Sequence, residues 1–358
     1  MIDLFNNSYY GKTVLITGHT GFKGSWLSHW LVKLGANVIG YSLANSSHPN
    51  HFKLLNLDID SATGDILDEE RLNAFFKRTK PEIVFHLAAQ SLVRESYKNP
   101  ILTYKTNVVG TLNVMEACRK NESVKALVNV TTDKVYEHLG FDLPFAETDR
   151  LGGYDPYSSS KACSEILSSS YRHSYLNLSE YGKSHQLLLA TARAGNVIGG
   201  GDWAVDRLLP DVIRASVNKS RLTIRNPNAI RPWQHVVEPL YGYLLLGQKL
   251  LGGNTAFADA WNFGPSYENC LSVGDILAII HEQWSDIQWD VDSEAGQPHE
   301  ASILKLDSAK SAKMLQWHPV LNIEETIEMT LNWYRSFYNN KTINTASDLE
   351  VWAQNMKK

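Results

Sequence analysis

The chain has 358 residues, 43% hydrophobic and 20% charged, the composition of an ordinary globular protein and too rich in apolar side chains for a disordered one. Lys and Arg number 34 against 38 Asp and Glu, a formal net charge of -4, so no basic excess serves a nucleic-acid backbone and any anionic ligand must be met by local positive groups. The longest apolar stretches, such as Leu187 to Ala192 and Leu244 to Gly247, fall far short of the roughly 20 residues that span a bilayer.

Met1 to Lys12 lacks the basic segment and apolar core of a secretory signal. Cys118, Cys163 and Cys270 are too dispersed for a metal knuckle and odd in number, which argues against a disulfide framework. A reducing cytoplasm is expected. Thr13 to Thr17 is a short apolar and β-branched run leading into glycines, the pattern of a buried parallel strand. Trp26, Leu27, Trp30, Leu31 and Leu34 recur at three- and four-residue steps and predict a helix stopped at Gly35. A second strand is predicted over Asn37 to Ser42. His48 and His51 follow in a Ser/Pro/Asn stretch that reads as a solvated loop rather than a ligand pair, so no metal is expected. The alternation then repeats: helix Glu69 to Lys77, strand Glu82 to Leu87, helix Leu102 to Lys120, strand Val124 to Thr131, helix Tyr157 to Tyr175, strand Leu187 to Arg193. Such β-α repetition with right-handed crossovers predicts an α/β fold on a Rossmann-like, doubly wound parallel sheet.

After about residue 195 glycine, proline and tryptophan become frequent and the rhythm breaks. The expected division is a dinucleotide-binding domain over 1–195, with segments near 235–265 returning to it, and a smaller substrate-binding lobe over 196–340. A peripheral tail, 341–358, is either a surface helix or frayed.

Gly18, Gly21 and Gly24, with Thr20 and Phe22 among them, lie between the first strand and the first helix. Glycines there allow a tight turn and close backbone approach, so that the helix N-terminus meets a pyrophosphate. A bound dinucleotide is expected. The carboxylate that usually holds the adenosine ribose is missing after the second strand, where Ser42 offers a hydroxyl, and no Arg stands near for a 2′-phosphate. NAD is therefore favoured over NADP. Asp65, followed by Ile66, is either an adenine contact or a helix N-cap.

Tyr157 and Lys161 are four residues apart, hence on one helix face, behind the turn and helix-start pair Asp155 and Pro156. A phenol beside an ammonium and an oxidised nicotinamide is expected to titrate below its ordinary value of about 10, making it a base for a sugar hydroxyl. Thr132, Asp133 and Lys134 close the preceding strand. Strict alternation would split them between two faces, so the strand must end or twist there.

The Thr-Gly-x-x-Gly-Phe-x-Gly run from Thr17 to Gly24, Leu87-Ala88-Ala89-Gln90 and the Tyr157/Lys161 pair together resemble the extended short-chain dehydrogenase/reductases that act on nucleotide sugars, over about Lys12 to Tyr338. The resemblance implies NAD contacted near Leu87, Ala88 and Gln90, a Thr132 that assists Tyr157, and an Asn107 that shapes the site from the mid-sheet helix. Dehydratases of that family carry Thr-Asp-Glu where this chain has Thr132, Asp133 and Lys134; the lysine resembles the CDP-glucose 4,6-dehydratase branch. It implies Asp133 as the acid that protonates the departing 6-hydroxyl and Lys134 as the base at C5, a role an ammonium fills only after giving up its proton.

Arg193, Arg207, Arg225 and Arg231 lie at or beyond the last predicted strand, and forked guanidinium donors suit a diphosphate. Asn196 to Asp202 and Ile224 to Val236 resemble the substrate loops of the same branch, implying Asn196, Arg207 and Arg231 as contacts. Trp203 and Trp233 either line a pocket or pack, and His235 reads as a structural hydrogen-bonding residue near the substrate rather than a proton carrier. The resemblance implies CDP-glucose as substrate, a homo-oligomer (dimer or tetramer) and a place in deoxysugar synthesis for a surface polysaccharide such as O-antigen. Two rival readings are a nucleotide-sugar 4-epimerase, which needs no elimination, and a non-catalytic NAD-binding sensor, which needs neither Tyr157 nor Lys161.

Overall fold

The computed structural model describes residues 4–44, 48–138, 140, 142–285, 287–291 and 303–357. Seven strands, β1 (Thr13–Thr17), β2 (Asn37–Ser42), β3 (Asp60–Thr63), β4 (Ile83–His86), β5 (Ala126–Val130), β6 (Leu188–Ala194) and β7 (Ala260–Phe263), pair in parallel in the order β7-β6-β5-β4-β1-β2-β3. Val14 and Ile16 join a core cluster with Trp26, Trp30 and Leu240, whereas Leu15 joins one with Phe76 and Leu189. Both faces are covered by helices, which is why the central strands read as unbroken apolar runs.

The doubly wound sheet is as expected, with two strands added, β7 from the segment near 235–265 and β3. The sequence Asp60-Ser61-Ala62-Thr63 forms the β3 edge, where no residue is fully buried, so no apolar signal marks it. The helix expected over Leu102 to Lys120 begins at Pro100 and contains a π turn, Lys105–Gly110, before continuing as Thr111–Arg119. Such turns concentrate at functional sites, and this one carries the fully buried Asn107. The helix Pro156–Ser174 starts where its cap dictates: Asp155 Oδ1 accepts from Ser158 N at 3.0 Å, and Pro156 fills the first helical position.

His51 corrects the reading of a solvated loop. It is 2% exposed, its Nδ1 is 2.7 Å from Ser25 Oγ and its Nε2 2.8 Å from Thr345 Oγ1, at the start of the C-terminal helix Thr345–Asn355. That helix buries Trp352 edge-on against Trp30 at 5.3 Å and Tyr241 at 5.0 Å, so the polar composition of the last stretch conceals one packed face.

Burial holds His51, His86 and His235 at about 3, and His19 and His29 at about 4, against an ordinary 6.5. For each, the unfolded chain takes up a proton that the folded chain refuses. The stability contributed is full above 6.5 and is lost as pH falls towards the folded values, at up to about 1.4 kcal/mol per pH unit per group. Buried Glu238 and Asp348, raised to about 7 and about 8, act oppositely, contributing below the ordinary carboxylate range and losing that as pH rises through 7 to 8. Because the histidines outnumber them, the thermal midpoint is expected to fall from about pH 6.5 down to about pH 5; a flat or rising midpoint in calorimetry contradicts this.

Candidate active site

From β1 the chain winds outward to β2 and β3 and then returns to place β4 on the other side of β1. Ligands bind in the crevice that such a reversal opens at the strand C-termini. A cleft of about 1010 Å³ lies there, large enough for a dinucleotide beside a nucleotide sugar, and it is walled on its far side by residues 195–231.

Gly18 has φ +74°, and a Cβ on it would stand 2.8 Å from Ala88 N, so the turn after β1 and the segment after β4 touch backbone to backbone. Gly21 caps the helix Phe22–Lys33 without any side-chain hydrogen bond, and the first turn holds no acidic residue. A Cβ on Gly24 would drive into the Gly18 carbonyl. The helix start is therefore presented to the cleft as a cradle for an anion. Gly18, Thr20, Gly21, Phe22 and Gly24 line it, as do Ser42, Asp65, Ile66, Leu87 and Ala88. Thr20 Oγ1 is 2.7 Å from Ser42 Oγ. Asp65 is not the helix cap: its Oδ1 accepts from Leu67 N at 2.9 Å, while Asp68 caps the helix through Arg71 N. The residues present fit a dinucleotide.

Gln90 and Asn107 are not among the residues that line the cleft. Asn107 Oδ1 accepts from Gln90 N, and its Nδ2 donates to Gln90 O and Ser160 Oγ, each at 2.9 Å. A buried amide is satisfied by bridging three elements, so the pair braces the loop after β4 against the π turn and the Tyr157 helix.

β5 ends at Val130, and Thr132, in extended conformation, caps a single 3₁₀ turn, Asp133–Val135. The strand thus ends where alternation required it to. Asp133 is 1% exposed; Oδ1 accepts from Thr132 Oγ1 at 3.0 Å and from Lys134 Nζ at 3.1 Å, while Oδ2 has no hydrogen-bond partner. Lys134 Nζ also reaches Asn196 Oδ1 at 3.4 Å. Across the cleft floor, Lys161 Nζ donates to Val130 O at 3.0 Å. Burial lowers Lys161 to about 8 against the pull of Glu165. Burial pushes the Tyr157 phenol up to about 12, outweighing the lowering by the Thr132 hydrogen bond and the Arg207 charge.

Asn196, Arg207, Arg225 and Arg231 line the far wall. Arg207 is paired with Asp202 at 2.9 Å and reaches Ser91 Oγ at 3.3 Å, and Asp206 stands 3.7 Å from both Arg94 and Arg225. One of the four arginines does not reach this wall. Arg193 is buried in an ion pair with Glu165 at 2.8 Å, because a guanidinium beneath the sheet must be paired. His235 is fully buried behind Gly199, edge-on to Trp26 at 5.7 Å, and does not line the cleft. Trp203 and Trp233 both line and pack: Trp203 meets Trp333 at 5.7 Å, and Trp233 donates to Leu271 O at 3.0 Å.

Sequence reasoning missed Lys23, which lines the cleft. Burial, followed by the like charges of Arg207, Lys161 and Lys134, lowers it to about 7 against the pull of Asp133. The available signal was a cation inside a glycine-rich turn that opens an apolar-striped helix.

A family profile described as GDP-mannose 4,6 dehydratase matches residues 15–330. The chain is 45% identical over 354 residues to a CDP-glucose 4,6-dehydratase of Salmonella typhimurium, covering 98% of each. Among solved structures it is similar to epimerase Mth375 from Methanothermobacter thermautotrophicus, with TM-score 0.80 and 26% identity over 94% of this chain and 96% of that one. It also resembles a dTDP-glucose 4,6-dehydratase of Bacillus anthracis in complex with NAD, with TM-score 0.76 and 22% identity over 92% and 98%. The chain belongs to the GDP-mannose 4,6 dehydratase family, within the extended short-chain dehydrogenase/reductases whose motifs it carries.

Proposed function

We propose that the protein dehydrates CDP-glucose to CDP-4-dehydro-6-deoxyglucose. The observation that carries this reading is the Asp133–Lys134 pair at 3.1 Å, whose lysine lines one cleft with Thr132, Tyr157, Lys161 and the glycine cradle while the buried carboxylate lies directly behind it. The choice of cytidine rests on the 45% identity to the Salmonella dehydratase. NAD held by the cradle supplies the redox chemistry, taking hydride from C4 and returning it to C6.

Tyr157 takes the 4-hydroxyl proton. Its burial makes that costly, and the Thr132 hydrogen bond and the Arg207 charge offset part of the cost. The ketone at C4 acidifies C5–H. Within the Asp133–Lys134 pair one proton passes from ammonium to carboxylate, leaving an amine and a carboxylic acid. The amine then takes the C5 proton, the acid gives its own to the 6-oxygen and water departs; as C6 receives its hydride, the Lys134 ammonium, whose protons exchange with solvent, returns one to C5. Arg207, Arg225 and Arg231 bind the diphosphate in place of their carboxylate partners or backbone acceptors.

CDP-, dTDP-, UDP- and GDP-glucose presented in turn are expected to show dehydration of CDP-glucose with the highest kcat/KM. Equal or greater turnover of another nucleotide overturns the substrate assignment, and a product of unchanged mass points instead to an epimerase. The lobes 1–195 and 196–340, with 235–265 returning to the first and 341–358 peripheral to both, form the two sides of the proposed site. We place the protein in the cytoplasm, in keeping with its three free thiols.

The chain is also proposed to form a homo-oligomer. Ile101 is 73% exposed and Ile166 57%, and Leu102 and Val109 are also exposed, on helices that pack against one another; exposed apolar side chains of this kind suit a partner surface. Ile101→Arg combined with Ile166→Arg is expected to yield monomers in light scattering; an unchanged mass rules out this face.

A further inference from the structure

The segment that carries the acid and the amine is held at both ends by one buried ion pair. Glu165 and Arg193 have side chains only 1% and 4% exposed and meet at 2.8 Å. At one end, Glu165 accepts from the hydroxyl of Thr131, directly before Thr132, and from Thr191 Oγ1 at 2.7 Å. At the other, Arg193 NH1 donates to Tyr136 OH at 2.8 Å, directly after Val135, and to Glu147 O at 3.3 Å. Tyr136 OH in turn donates to Asn262 Oδ1 on β7 at 2.7 Å, and its ring stacks on Phe145 at 4.8 Å with planes 3° apart. The four residues from Thr132 to Val135 are thus strung between the two members of a pair that bridges the Tyr157 helix to β6.

A buried pair of this kind is expensive to desolvate and weak evidence for stability, so its retention calls for another role. Neither Glu165 nor Arg193 lines the cleft. Val130, whose carbonyl receives Lys161 Nζ, adjoins Thr131, so Tyr157 and Lys161 sit on the rigid helix while Asp133 and Lys134 sit on the strung turn. We infer that Glu165 and Arg193, acting through Thr131 and Tyr136, are positioning residues that hold the Asp133–Lys134 pair in register for the elimination at C5 and C6. This deepens the proposed dehydration and rests on it.

Tyr136→Phe keeps the ring stack and removes only the link to Arg193 and Asn262; Glu165→Gln loosens the Thr131 end. Both are compared with the parent on CDP-glucose carrying deuterium at C4 or at C5. Misplacing the acid and amine slows the elimination without touching binding or oxidation, so kcat is expected to fall on the order of ten- to a hundredfold with KM nearly constant. The C5 isotope effect on kcat is expected to rise and the C4 effect to fall towards unity. A merely structural loss lowers the amount of active enzyme and moves neither isotope effect. Unchanged isotope effects in Tyr136→Phe, or a C4 effect that rises, overturn the proposal, and Tyr136→Phe decides alone if Glu165→Gln does not fold. Failure of the parent to dehydrate CDP-glucose is a failure of the functional reading instead.

Discussion

Replacing Tyr157 by Phe is expected to lower kcat for dehydration by on the order of 10² to 10⁴, the contribution of a positioned proton acceptor. The change removes one oxygen and leaves the ring in place on a helix whose start is fixed by Asp155 and Pro156. Folding and coenzyme binding are therefore expected to persist, with a thermal midpoint and NAD affinity close to those of the parent. The phenol, at about 12, is held by the Thr132 hydrogen bond on the cleft floor that Lys161 also lines, so the substitution takes away the proton acceptor and leaves its setting intact. A Tyr157→Phe enzyme that retains a tenth or more of parental kcat removes Tyr157 from the reaction. Loss of NAD binding in the same variant assigns the residue to the cofactor site alone.

The second large effect belongs to the Asp133–Lys134 pair. Asp133→Asn and Lys134→Met are each expected to lower kcat by on the order of 10² to 10⁴. The double variant is expected to be scarcely worse than either, because the two residues exchange and deliver protons as a unit. Stability separates them further. Lys134→Met leaves a carboxylate that is 1% exposed without its cation, a cost of up to about 3 kcal/mol. Asp133→Asn in the same chain removes that charge, so the double variant should melt above Lys134→Met. Multiplying kinetic losses, or a double variant that melts below both singles, contradicts the coupling.

The sheet was legible because its strands are buried on both faces and the helices between them show apolar stripes, as Val14 to Ile16 and Trp26 to Leu34 do. The motif residues were legible for a related reason: the glycines from Gly18 to Gly24, and Tyr157 with Lys161, recur at short fixed spacings that sequence displays directly. What stayed hidden depends on contacts across the fold. β3 has no buried residue to betray it, and His51 sits among polar neighbours while its partners, Ser25 and Thr345, are 26 and 294 positions away. Arg193 has the right chemistry for a phosphate, but tertiary packing pairs it with Glu165.

The central claim is that one hydride leaves C4 and is given back to C6 of the same hexose while water is lost between C5 and C6. CDP-glucose carrying deuterium at C4, turned over by the protein with NAD in ordinary water, tests this directly by mass spectrometry and NMR of the product. The account predicts a product lighter by one water, with the deuterium at C6 and a solvent hydrogen at C5. A product of unchanged mass, or deuterium absent from C6, contradicts it.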